Sequence, residues 1–197
     1  MNYFSKKEVQ TIDELKRQVS DDYGICRGKN ELSTLTEDTE IVVVGTFIPP
    51  FLVYFYNENT YLYKAIDIAR GTQLEKYKRK YPAHLSEQEK NKIIDRIKDI
   101  LLKEKIAFID LFDTVLIKHG STKDKDIKGY VLDKDVILKL KQFSKIKKVI
   151  SITENVESLL LANGVVNDYV KLFPGKSKRY PKGTDYLALW TNIFRIN

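Results

Sequence analysis

Four short segments of the 197-residue chain end in side chains able to do chemistry: Gly45-Thr46-Phe47, Asp110 to Asp113, Thr153-Glu154-Asn155 and Pro174-Gly175-Lys176-Ser177. Carboxylates and an amide can hold or deprotonate a water, and hydroxyls can hydrogen-bond the edge of a ligand. A lysine beside Gly and Pro suits an anion. Metal chemistry is poorly provided for. The single cysteine, Cys26, excludes a disulfide framework and a Cys-rich zinc site. Two histidines, His84 and His119, are too few for a His-based centre, which leaves only a carboxylate site open.

The charge balance points to an anionic partner. There are 34 Lys+Arg against 27 Asp+Glu, a net charge of +7. The excess is clustered. Lys76 to Lys80 reads K-Y-K-R-K, Lys139 to Lys148 holds five lysines, and Lys171 to Lys182 holds five basic residues interleaved with Phe173 and Tyr180. Such surfaces bind phosphate backbones with release of counterions, and aromatic rings beside them stack on bases. A solvated helix face accounts for such lysine runs equally well. Hydrophobic residues at 43% and charged residues at 31% describe a globular chain long enough to bury one core. Apolar runs such as Ile41 to Val44 are too short to span a bilayer, and Met1 to Val9 lacks an apolar signal segment. The expectation is a soluble cytoplasmic protein with no membrane partner.

Positioning elements follow from periodicity. Glu40 to Phe47, Ile106 to Ile109, Val149 to Ile152 and Tyr169 to Phe173 read as strands, the first buried on both faces. Thr11-Ile12-Asp13-Glu14 and Ser86-Glu87-Gln88-Glu89 have capping-box form. Tyr61 to Arg70 reads as a helix stopped by Gly71, and Ile93, Ile94, Ile97 and Leu101 form the stripe of the helix after Ser86. Val136 to Phe143, Val156 to Ala162 and Thr184 to Phe194 complete the helices, the last with Thr184 as cap and Trp190 in the core. Strands separated by helices imply right-handed crossovers. The expected fold is α/β, a three-layer α/β/α sandwich on a central four-stranded parallel sheet. Residues 1–38 form a helical extension packed on a domain of residues 39–197. In such sheets ligands bind beyond the carboxyl ends of the strands, where the four polar segments gather.

The order of these segments resembles the uracil-DNA glycosylase superfamily, nearest to its hypoxanthine-DNA glycosylase-like branch. Gly45-Thr46-Phe47-Ile48-Pro49-Pro50 is similar to the branch's G-S-F-P-S strand end, with one extra residue. Phe55-Tyr56 and Asn59-Thr60-Tyr61-Leu62 are similar to its aromatic pair and N-x-F-W segment. Asp110 closes the second strand, and His119-Gly120-Ser121-Thr122-Lys123-Asp124 follows where the family has R-x-G-S and an acid. Leu172-Phe173-Pro174-Gly175-Lys176-Ser177-Lys178 stands at the final motif, with Gly175 and Lys176 interrupting its small polar run and no asparagine after it. The similarity covers roughly residues 40 to 195, and divergence concentrates at the strand-end rim.

The resemblance implies a monofunctional DNA glycosylase that needs no cofactor and no metal. It would act as a monomer on duplex or single-stranded DNA carrying a deaminated or modified base, in base excision repair. A base leaves the stack, enters a pocket and departs with its charge stabilised, while a held water attacks the anomeric carbon. Asn59 and Asp110 would be the catalytic residues. Gly45, Thr46, Phe47 and Tyr56 would form the base pocket. Lys176, Ser177, Lys178, Arg179, Tyr180, His119 and Ser121 would contact DNA. Each position has a structural alternative: Asp110 as a turn cap, Phe47 as core, His119 as a surface residue. Two other functions stay open. One is a catalytically inactive nucleic-acid-binding relative, favoured by the altered final motif. The other is a nucleotide or small-molecule binding α/β domain, disfavoured by the lack of a complete phosphate-binding glycine loop.

Overall fold

A computed structural model describes residues 10–28, 30, 33–47, 54, 61–77, 84–121, 124–165, 170–172 and 185–195, the side chains of 124 and 170–172 excepted. In chain order the elements are α1 (Ile12–Lys16), β1 (Tyr23–Arg27), β2 (Ile41–Gly45), α2 (Leu62–Arg70), α3 (Glu87–Lys103), β3 (Ile106–Asp110) and β4 (Phe112–Lys118). They continue with β5 (Ile127–Leu132), α4 (Lys134–Gln142), β6 (Lys148–Ser151), α5 (Glu154–Ala162), β7 (Val170–Leu172) and α6 (Tyr186–Phe194).

The order β3-β2-β6-β7 makes one sheet, all of whose pairs are parallel. Every residue of β2 and β3 is buried, as continuous β-branched and aromatic runs require when helices cover both faces. Alternation divides the sheet between two cores. Ile41, Val43, Ile106, Phe108 and Ile150 pack on one side with α2, α3 and α6. Val42, Val44, Ala107, Ile109 and Val149 pack on the other with α4 and α5. Phe108 is fully buried against the rings of Tyr54 and Tyr63, and Trp190 stacks on Phe194 at 5.9 Å in the same core.

Local chemistry explains the helix ends. Thr11 and Ser86 both complete capping boxes, with Glu14 and Glu89 reaching back to the cap backbone. Gly71 closes α2 at φ 68, a left-handed conformation that a side chain resists. Asp185, not Thr184, caps α6, accepting from the Ala188 N–H; Thr184 lies outside the described residues. Asp133 caps α4 in the same way through Val136.

A second sheet departs from expectation. β1, β4 and β5 form a three-stranded antiparallel sheet in the order β1-β4-β5. Its Phe112, Val115, Ile117, Ile127, Tyr130 and Leu132 join the core that holds α4 and α5. That face of the parallel sheet is therefore not a helical layer alone. The stretch expected as a helical extension also holds a strand, since β1 lies within it and pairs along its whole length with β4. The short α1 rests on β5 at Gly129, where an added methyl would stand 2.7 Å from Leu15 Cδ2.

Candidate functional site

The carboxyl edge of the parallel sheet is tied down by backbone. Gly45 is extended and sits opposite Asp110 in the register. Its carbonyl accepts the Leu111 N–H at 2.8 Å, and the Thr46 carbonyl accepts the Phe112 N–H at 3.0 Å. These bonds carry the chain straight from β3 into β4, so the second sheet begins at the tip of the first.

Asn30 is the clamp of this edge, and sequence reasoning missed it. Its Oδ1 accepts the Asp110 N–H at 2.7 Å, while its Nδ2 donates to the Asp110 carbonyl at 2.9 Å and to Asp133 Oδ2 at 2.7 Å. One amide thus fixes the last residue of β3 and the cap of α4. Nothing local to Asn30 signals this, because its partners lie 80 and 103 residues away.

Beyond the edge lies a cavity of about 320 Å³. Phe47 forms its wall next to the sheet. Gly24, Ile25 and Cys26 of β1, Ile117 of β4 and the Lys118–Ser121 turn form the rest. The His119 backbone N–H donates to the Asp22 carbonyl at 2.9 Å, which anchors that turn. Its exposed imidazole lies over Gly24, where a methyl would fall 2.6 Å from Cε1. Gly120 takes φ 71 just behind it, and Ser121 donates its hydroxyl to Asp126 Oδ2. The result is a mostly apolar cavity with an imidazole and a hydroxyl among its lining groups.

The structure thus brings Phe47, His119 and Ser121 to one concavity. Phe47 is both core and wall, being 7% exposed. Thr46 is buried beside it at 5% exposure. Asp110 does not share the cavity's wall. Strand alternation sets it on the side of Ile106 and Phe108, facing the α2 core, whereas Phe47 packs in the opposite core. Asp113 lies within β4 as an exposed residue, and Thr153 caps α5. Tyr56, Asn59, Lys176, Ser177, Lys178, Arg179 and Tyr180 lie outside the described residues. Tyr54 is fully buried against Phe108, and burial pushes its phenol well above the ordinary value, with a hydrogen bond to Thr34 opposing.

Among the described residues, no group of three or more His, Cys, Asp or Glu is placed to hold a metal ion, and no helix is long and apolar enough to cross a membrane.

The architecture defines an α/β protein with a parallel sheet and a concavity at its carboxyl edge. It is similar to the solution NMR structure of "a putative Uracil DNA glycosylase from Methanosarcina acetivorans", with a TM-score of 0.57 at 20% identity. The similarity covers 87% of this chain and 98% of that one, so the two share a fold nearly throughout. No family model matches the chain, and neither does any curated protein.

Proposed function

We propose that this protein is a monofunctional DNA glycosylase of the uracil-DNA glycosylase-like α/β/α class. It hydrolyses the N-glycosidic bond of a deaminated or otherwise modified base in DNA. The observation that carries the reading is the cavity beyond the tips of β2 and β4, walled by Phe47 and edged by His119. It lies at the carboxyl end of a parallel sheet, on a fold shared with a protein described as a glycosylase. The net charge of +7 favours a polyanionic substrate.

In this reading the everted base lies against Phe47, and the imidazole of His119 probes its edge or the neighbouring phosphate. Asn59 orients the attacking water. Lys176, Ser177, Lys178, Arg179 and Tyr180 grip the strand on the other side. Asp110 acts from behind, supporting the strand tip, since its carboxylate is on the far side of the sheet from Phe47. That placement also favours a second reading, an inactive nucleic-acid-binding relative that kept the slot and lost the water-activating group. The hypoxanthine-directed branch is one form of the first reading.

A panel of oligonucleotides, each with one uracil, hypoxanthine, xanthine or bulkier modified base, separates the two. Alkali-sensitive strand cleavage with any member supports the enzyme; binding without cleavage across the panel supports the inactive relative. Asn59→Ala is expected to abolish excision while DNA affinity stays within a few-fold. Unchanged excision would remove Asn59 from the mechanism.

A further inference from the structure

At the opposite end of the sheet lies a second cavity, of about 380 Å³, between the end of α2 and the second half of α3. The carboxyl edge is about 13 Å away along β3, at 3.3 Å per residue. Four basic side chains, Arg70, Lys76, Arg96 and Lys103, line it against two carboxylates, Asp99 and Glu104. Arg70, Arg96, Lys103, Asp99 and Glu104 take part in no ion pair among the described residues.

Arg70 is the unusual member. Its Nε and Nη2 are shut off from solvent and have no hydrogen-bond acceptor. Guanidinium nitrogens out of water are costly unless an anion or carbonyl meets the group. Helix termini offer one ordinary explanation, because a basic residue in the last turn answers the negative end of a helix, and Arg70 and Lys103 stand in the last turns of α2 and α3. That explanation is incomplete. Arg70 Nε and Nη2 bond no carbonyl, and Arg96 stands nearly two turns before the end of α3.

The wall of the cavity is also built rather than loose. The Asp67 carboxylate accepts the Thr72 hydroxyl and the N–H groups of Leu74 and Glu75 at 2.5 to 2.9 Å, which holds the turn that follows Gly71. On that turn Lys76 Nζ meets Gln73 Oε1 at 2.8 Å and stands 5.1 Å over the Tyr77 ring. An aromatic face, an amide and a row of cations therefore flank one concavity.

We propose that this cleft is an anion site for a small phosphate-bearing ligand, with Arg96 and Lys103 meeting the phosphate, the Arg70 guanidinium adding its positive charge from the wall, and Tyr77 offering a ring beside it. Arginine forks match phosphate oxygens in pairs, and the volume fits a mononucleotide-sized molecule rather than a strand. The site is separate from the carboxyl-edge cavity, so a phosphate held here is not the backbone of DNA gripped there.

Thermal melting and calorimetry with inorganic phosphate, AMP and adenosine, each at ionic strength matched with chloride, test the assignment. Phosphate and AMP are expected to raise Tm and adenosine not to. Arg70→Gln is expected to weaken AMP binding about tenfold, the loss of one positive charge in the wall of the cleft. Because Arg70 is half-buried, the fully surface variant Arg96→Glu with Lys103→Glu gives the same reading without touching the core. The proposal is overturned if neither phosphate nor AMP exceeds the chloride control, or if the shift survives in both variants. Displacement of AMP by a short single-stranded oligonucleotide would also overturn it, by making the cleft a strand contact.

Discussion

The two ends of the parallel sheet are built from opposite materials. At the carboxyl edge the ties are hydrogen bonds with no cation among them: Gly45 and Thr46 carbonyls to Leu111 and Phe112, and one asparagine amide across Asp110 and the Asp133 carboxylate. At the amino edge they are ionic. Glu40, just before β2, receives Lys105 Nζ and Lys147 Nζ at 2.8 Å each, and its backbone bonds the chain on both flanking strands. Lys148 Nζ there donates to the Ile193 and Arg195 carbonyls, which answers the end of α6. The lesson is that charge alone does not mark a site. Charges already matched by a partner hold the fold. The matched lysines around Glu40 are structural, whereas the carboxyl edge is tied by backbone and one asparagine and has a cavity beyond it.

Substitutions at each end should break this contrast to different degrees. Asn30→Ala strands the Asp110 N–H and carbonyl and removes a donor from Asp133, so it should cost about 3 kcal/mol in a urea melt. It should also loosen the carboxyl edge. A cost no larger than that of an exposed surface change would mean that the edge is held by something other than this amide.

Glu40→Gln should cost about 1 kcal/mol at neutral pH, because it leaves both lysines without their carboxylate. The loss should depend on pH. Hydrogen bonds from Lys105 and then Lys147 hold the Glu40 carboxyl down at about 2, below its ordinary 4.5. A folded value below the unfolded one gives stability that is present above 4.5 and fades as pH falls toward 2. The gap between wild type and Glu40→Gln should therefore narrow in melts taken stepwise through that window. A gap that widens on acidification would reverse the assignment.

The smallest effect belongs to Asp38. It pairs with Lys145 at the same end, but both side chains are largely exposed. Asp38→Ala should leave Tm unchanged within error. A measurable fall would show that the amino edge acts as one extended ionic network, and the contrast with the carboxyl edge would be sharper than drawn.

How much of this was legible in the sequence follows from how local each signal is. The β2 and β3 runs announce themselves, since a strand buried on both faces must be apolar throughout. Two capping boxes and the Gly71 stop were equally plain, because each is complete within a few residues. The antiparallel sheet was not. β4 breaks its alternation with four consecutive buried residues, Thr114 to Ile117, its pairing with β5 slips at two places, and β1 carries a glycine at its second position. At the candidate site, Phe47 and His119 were found as members of ordered motifs. Their meeting needed β1 between them, and Gly24 is the residue that makes room. Asp110 was found at its strand end, but which side of the sheet it faces is a matter of register with Ile106 and Phe108. Asn30 was invisible because its whole role is long-range.

The central claim is that an altered base enters the cavity at the carboxyl edge. A backbone amide NMR titration with an oligonucleotide containing one uracil, against the same strand with thymine, tests it directly. The account predicts uracil-dependent shifts at Gly24, Phe47, His119 and Gly120, with Glu40 and Lys105 unmoved. Identical shifts for the two strands, or shifts confined to the amino end, would contradict it.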